Sequence, residues 1–198
     1  MKRRTALKKI GLATSFFAAT PAIISLLQSC KSDIKTWAPE FLSIDQGIVL
    51  INLVDIILPK TETPSAIELN IPQFIDKYIK DVFDDEEQIE FKSAFTNIIS
   101  ILKPNTESNI NEIPQETYKT LLDKHMLIEE DIDEEREADP ESLKMTKSEL
   151  LNSIKNLCVR GYITNEEIGE NVLAYDPVPG AYYCGDLQLL TRGRSWSL

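Results

Sequence analysis

The chain is expected to fold as an all-α protein, a single compact bundle of about five helices with an extended Pro/Tyr-rich C-terminal tail. Three observations predict this. Apolar residues recur at three- and four-residue spacing in five stretches between Ser43 and Arg160, the period of a helix with a buried face. Helix-start signals open most of them: Ser43 with Gln46, Pro72, the run Asp84-Asp85-Glu86-Glu87, and Pro114. Of the seven glycines, only Gly11 and Gly47 precede Gly161, so little turn punctuation interrupts the pattern.

The first helix is expected from Ser43 to about Leu58. Ile44, Ile48, Ile51, Val54 and Leu58 lie on related faces, and Val49, Leu50, Leu53, Ile56 and Ile57 widen the apolar surface nearly all round, as in a central, buried helix. Asn52 and Asp55 are its polar exceptions, either a narrow exposed stripe or a polar contact for the loop that follows. That loop, Leu58 to Ala66, has two prolines and three hydroxyls but none of the glycines of a phosphate cradle; it reads as a structural connection. Pro72 opens the second helix, with Ile71, Phe74, Ile75, Tyr78, Ile79, Val82 and Phe83 on its stripe. The acidic run at 84–87 suits the positive end of a third helix dipole, which carries Ile89, Phe91, Phe95, Ile98, Ile99 and Leu102 up to Lys103-Pro104. A polar loop over 104–112 leads to a fourth helix with Tyr118, Leu121, Leu122 and His125.

Residues 129–141 hold nine acidic residues and one arginine, too charged to bury; a mobile acidic loop, helical in part, is expected there. The fifth helix is expected from Ser142 to Arg160, with Leu143, Leu150, Leu151, Ile154, Leu157 and Cys158 facing the core and Gly161 as a left-handed C-cap. Thr164 with Glu167 has the form of a capping box for a short helix that Gly169 weakens. The tail, 171–198, then runs extended. Pro177 and Pro179 remove two backbone donors, so Tyr175 to Gly180 cannot be the centre of a sheet. Tyr175, Tyr182, Tyr183 and Cys184 surround the Pro179-Gly180 turn. A stiff aromatic strap of this kind lies across a surface, the protein's own or a partner's. Arg194 and Trp196 near the end are residue types that interfaces use as anchors, or else they belong to a disordered terminus.

The first thirty residues read as an address. Lys2, Arg3, Arg4, Lys8 and Lys9 precede an apolar run from Leu12 to Leu27, shorter than the roughly 20 residues of a membrane span and matching a signal-peptide core. Arg3-Arg4 followed by Leu7-Lys8 resembles a twin-arginine export signal; an ordinary secretory signal is the alternative. Leu27-Gln28-Ser29-Cys30 resembles a lipobox, which makes Cys30 a lipidation site and the mature N-terminus, although Gln28 departs from the usual small or apolar residue. The alternative is cleavage near Ala22. Two or more acyl chains on Cys30 give stable membrane anchoring. Residues 31–42 read as a tether, with Trp37 and Phe41 stapled onto the first helix, and 43–198 as the helical domain.

Five of the 21 basic residues and none of the 32 acidic ones precede Cys30, so the remainder carries about −16. That excludes nucleic acid as a partner, since such binding needs clustered Lys and Arg. Catalytic and cofactor motifs are missing: no Cys-x-x-Cys, no Gly-x-Gly-x-x-Gly and no nucleophile elbow. His125, the only histidine, has no sequence partner and reads as a surface or capping residue. No catalytic, cofactor-binding or metal-binding residue is therefore expected. Cys158 and Cys184 would be the two cysteines left in an oxidising compartment. Either they pair, or Cys184 reaches a cysteine on a partner; the core-facing position of Cys158 favours the second.

Several stretches together resemble the gluconate 2-dehydrogenase subunit 3 family. They are the twin-arginine-like start, Asp55-Ile-Ile-Leu-Pro-Lys-Thr-Glu-Thr-Pro-Ser-Ala-Ile, Ile71-Pro-Gln-Phe-Ile-Asp, Gly161-Tyr-Ile-Thr, Tyr175-Asp-Pro-Val-Pro-Gly and Arg194-Ser-Trp-Ser. Ser65 stands where the family often has glycine, and 129–141 is a local elaboration. The resemblance implies a small subunit without a cofactor of its own. Its partner would be a periplasmic flavin-dependent sugar or polyol dehydrogenase, a glucose–methanol–choline-type flavoprotein holding FAD, often with a multihaem cytochrome c subunit. The small subunit would help the flavoprotein mature and carry its export signal. A free-standing envelope lipoprotein that binds or scaffolds is the alternative from another class.

Overall fold

A computed structural model describes residues 37–103, 109–127, 131–176, 180 and 184–197. The chain divides into a leading unit, Met1–Trp37, and a body, Ala38–Leu198; within the first only Trp37 is described. The described part of the body is all-α. Its helices are α1 Ile44–Ile57, α2 Ile71–Val82, α3 Asp85–Leu102, α4 Gln115–His125, α5 Glu134–Ala138, α6 Lys147–Ile163, α7 Glu166–Asn171 and α8 Leu187–Thr191, with one 3₁₀ turn at Ile110–Glu112. Five of them are long, as the periodicity predicts.

Helices α1 and α6 form the centre. They touch each other, and each also touches α2, α3 and α4. The apolar surface of α1 explains its place: Val49, Leu50, Leu53 and Val54 are fully buried, each such side chain contributing about 1.5–3 kcal/mol of transfer free energy before chain entropy is subtracted. Ser43 and Gln46 form the expected capping box. Asn52 and Asp55 are half-buried, and the Asn52 amide donates to its own helix at Ile48 O. A row of aromatic rings, Phe74, Tyr78, Phe83, Phe91 and Phe95, runs across α2 and α3 with successive centroids 5.7–6.2 Å apart, the spacing of tilted and edge-to-face contacts. Val82 and Ile89, placed on apolar stripes by their spacing, are instead largely exposed.

The segment before α1 is pinned rather than loose. Asp76 on α2, almost completely buried, accepts the backbone N–H of Glu40 at 2.7 Å, of Phe41 at 3.3 Å and of Leu42 at 2.8 Å. Phe41 lies beneath Lys92 of α3, with the ammonium 3.9 Å from the ring centroid.

The fifth long helix starts later than its sequence pattern suggested. Thr146, not Ser142, is the N-cap of α6, in a capping box with Glu149. Leu143 lies outside the helix and is exposed. The acidic segment is also ordered around its one arginine. Asp133 caps α5 and accepts the Thr146 hydroxyl at 2.6 Å. The Arg136 guanidinium makes a two-pronged pair with Glu149, Nε to Oε1 at 2.9 Å and Nη2 to Oε2 at 2.7 Å, and donates to the carbonyls of Ser142 and Lys144. No residue of α5 is buried, so polar contacts alone hold it.

The hydrogen bond from Arg136 is the main reason the Glu149 carboxyl sits below its ordinary pKa. Its folded value is thus below its unfolded one, so the stabilisation is complete above the usual carboxylate range and is lost as pH falls through the folded value. Acidification below the usual carboxylate range is therefore expected to release α5 before the core opens. Amide exchange should show protection of Lys147 to Leu150 falling while that of Leu50 to Leu53 persists; parallel loss in both would refute a local release.

Candidate functional site

The far end of α6 leads into the tail, where Tyr175, Gly180, Arg194 and Trp196 are the described residues among the sequence-predicted partner contacts. Gly161 is not a C-cap. The helix runs through it to Ile163 and ends at Thr164, whose hydroxyl donates to Arg160 O. What the position requires is the lack of a side chain, because a Cβ there would lie 2.6 Å from Cδ1 of Phe74. Tyr162 then crosses to the loop after α1: its hydroxyl donates to Pro64 O at 2.8 Å and bonds with Thr63 Oγ1 at 2.9 Å. Within that loop Ser65 and Glu68 bond reciprocally, Ser65 N to Glu68 Oε2 and Glu68 N to Ser65 Oγ, a turn in which serine is buried and supplies a cap that glycine could not.

Asn165, not Thr164, caps α7 through a bond from Glu167 N. After α7 the chain is clasped by its own end. Ala174 N donates to Ser195 O at 2.8 Å, and Ser197 N donates to Ala174 O at 2.9 Å, a single parallel bridge between Ala174 and Trp196. Gly169 lies beneath this bridge, where a Cβ would come 2.8 Å from the end of the Ser197 side chain. The tail is not wholly extended, since Asp186 caps the five-residue helix α8. At its end Arg192 is left-handed (φ 55°) and Gly193 follows at φ 76°, which turns the chain back towards Ala174.

The clasp leaves the side chains of the tail in solvent. Tyr175 is 48% exposed and Trp196 47%, on chain segments that the bridge holds side by side. Leu187, Leu189 and Leu190 are 55%, 81% and 47% exposed. Thr191 alone is buried among the described residues from 172 to 197. Arg194 is exposed, as is Gly180, around which a Cβ would meet nothing within 4 Å. Pro177, Pro179, Tyr182 and Tyr183 lie outside the described residues, as do Arg3, Arg4 and Cys30. The three leucines of α8 were missed by sequence reasoning; Leu-Gln-Leu-Leu directly after a capping Asp186 was the available signal.

Cys158 and Cys184 are both free thiols in this structure. Cys158 is fully buried among α6 neighbours, and burial pushes its thiol up to about 12, which makes it unreactive. Cys184 is exposed. His125 ends α4, half-buried; burial, with Lys124 and Lys147 nearby, holds its pKa below the usual histidine value against the pull of Asp133. Among the described residues no three His, Cys, Asp or Glu side chains come together as a metal ion would need, and no helix is long and apolar enough to cross a membrane. A shallow groove of about 550 Å³ between α1, α4 and α6 is lined by Ile56, Ile57, Leu122, Met126 and Val159 together with two lysines, Lys119 and Lys155.

Fold and tail define an all-α body closed by a clasp that keeps its aromatic and leucine side chains outside. The chain belongs to the gluconate 2-dehydrogenase subunit 3 family, whose model matches residues 44–180. The family is that of a small subunit of a gluconate dehydrogenase complex. No curated protein and no solved structure matches the chain.

Proposed function

We propose that this chain is the non-catalytic small subunit of an exported dehydrogenase complex. It binds a flavin-dependent large subunit of the glucose–methanol–choline type, helps it mature, and carries it outward on its own twin-arginine signal. FAD, and in some complexes haem, belong to the partner subunits. The mature subunit stays on the periplasmic side of the membrane, anchored through a lipid on Cys30. The observation that carries this reading is the clasped tail, which orders Tyr175, Trp196 and the leucines of α8 without burying them. Ordered, solvent-exposed aromatic and leucine side chains on a closed loop are the features of a docking surface. The groove beside α1 favours a second reading, a free-standing envelope lipoprotein that binds an apolar ligand.

Export separates the two. Arg3→Lys with Arg4→Lys keeps the charge of the leader but removes the paired guanidinium groups. Fractionation is expected to find both this subunit and its flavoprotein in the cytoplasm, with dehydrogenase activity lost from the envelope. Normal export of the flavoprotein in that variant would overturn the co-export reading.

A further inference from the structure

Resting on that reading of the tail, the charge pattern narrows what its partner surface looks like. The chain holds 32 acidic residues against 21 basic ones, yet no acid follows Asp186, and Arg192 and Arg194 both fall in that stretch. Both are exposed. Neither guanidinium makes an ion pair or a side-chain hydrogen bond among the described residues, although carboxylates are abundant on the body; the ion pairs there use Lys60, Lys80, Lys103, Lys119, Arg136 and Lys147. The left-handed turn at Arg192-Gly193 sets one arginine on each side of the reversal between α8 and Trp196. Arg192 and Arg194 thus share one short segment with the exposed Leu187, Leu189, Leu190 and Trp196.

We infer that the tail docks into an apolar hollow of the large subunit whose border carries carboxylates, with α8 and Trp196 filling the hollow and Arg192 and Arg194 meeting the acidic rim. Charge decides between this and a generally basic partner face. The acidic body would be attracted to a basic surface everywhere, with no preference for orientation. Two cations confined to the tail orient the subunit only if the surface they meet is acidic, because opposite charges at an interface rim steer encounter and fix register. The exposed apolar side chains supply lifetime and the arginines supply approach.

The test measures association of the full-length mature subunit with purified large subunit at low and high salt. Arg192→Glu with Arg194→Glu is expected to slow association by about tenfold at low salt and to invert its salt dependence, so that salt speeds association, with little change in dissociation. Leu189→Ala with Trp196→Ala is expected to act the other way, raising the dissociation rate and sparing association. If deletion after Gly180 leaves binding intact, the tail is not the interface and the reading beneath this inference fails. If deletion abolishes binding but the arginine reversal leaves association and its salt dependence unchanged, the acidic rim alone is refuted. Tail-dependent binding to phosphatidylglycerol vesicles, or tail-dependent dimerisation of the subunit in sedimentation, with no effect of the arginine reversal on large-subunit binding, would likewise overturn it in favour of a membrane or a second copy.

Discussion

Asp76→Ala is expected to destabilise the fold by about 2–4 kcal/mol. The figure follows from the number of orphaned groups. One carboxylate accepts three backbone N–H donors, from Glu40, Phe41 and Leu42, and each buried donor left without a partner costs about 1–3 kcal/mol. Leu42 is buried, whereas Glu40 is exposed and Phe41 half-exposed, so the loss at Leu42 counts in full, water rescues much of the loss at the other two, and about 2–4 kcal/mol remains. The ion pair between Lys80 and Glu40 joins the same two segments at 2.7 Å, but both side chains are largely in solvent, where such pairs contribute little; it cannot replace Asp76. Asp76→Asn keeps the shape and one acceptor oxygen but turns an NH₂ towards backbone donors, so it should fall between wild type and alanine. Urea unfolding should show a lower midpoint at unchanged slope. A change below 1 kcal/mol for alanine would mean that the 40–42 segment is held by something else.

Asp76 also marks the limit of what the sequence makes legible. Local rules hold for most pairs three residues apart: Ser43 with Gln46 is the expected capping box and the acidic run supplies another, Asp84 with Glu87, whereas at Thr164 and Glu167 the cap falls to Asn165; the five long helices follow their apolar spacing. Thr146 with Glu149 obeys the same rule but was overlooked because Leu143 suggested an earlier start. Contacts between distant segments are invisible to periodicity. Asp76 meets partners 34–36 residues away, and Tyr162 meets Pro64 98 residues away. Within the tail, aromatic and arginine content marks the segment out in the sequence, yet α8 is only five residues long, too short for a helical period to emerge. A lone arginine in an acidic run reads as a minor exception; in three dimensions Arg136 organises the segment.

Gly161→Ala is the companion case, a substitution that local propensity favours and packing forbids. In the interior of a helix, alanine is better than glycine by about 1 kcal/mol, and Gly161 has ordinary helical neighbours on both sides. The added Cβ would, however, stand 2.6, 2.8 and 3.3 Å from Cδ1, Cε1 and Cγ of Phe74. The ring cannot slide away freely: Tyr78 lies 5.7 Å beyond it, and Tyr78 in turn sits against Arg160, whose Nη1 donates to its hydroxyl at 3.2 Å. Forcing a methyl into such a contact costs about 1–3 kcal/mol, enough to cancel the propensity gain and leave a net destabilisation of roughly 1 kcal/mol. Gly161→Val should cost distinctly more, since it adds bulk and loses helix propensity together. Phe74→Leu removes the opposing ring edge, so the double variant Gly161→Ala/Phe74→Leu should be more stable than the sum of the two single changes predicts. Strict additivity in that cycle, or a net gain in stability from Gly161→Ala alone, would show that Gly161 serves chain flexibility and not the approach of α6 to α2.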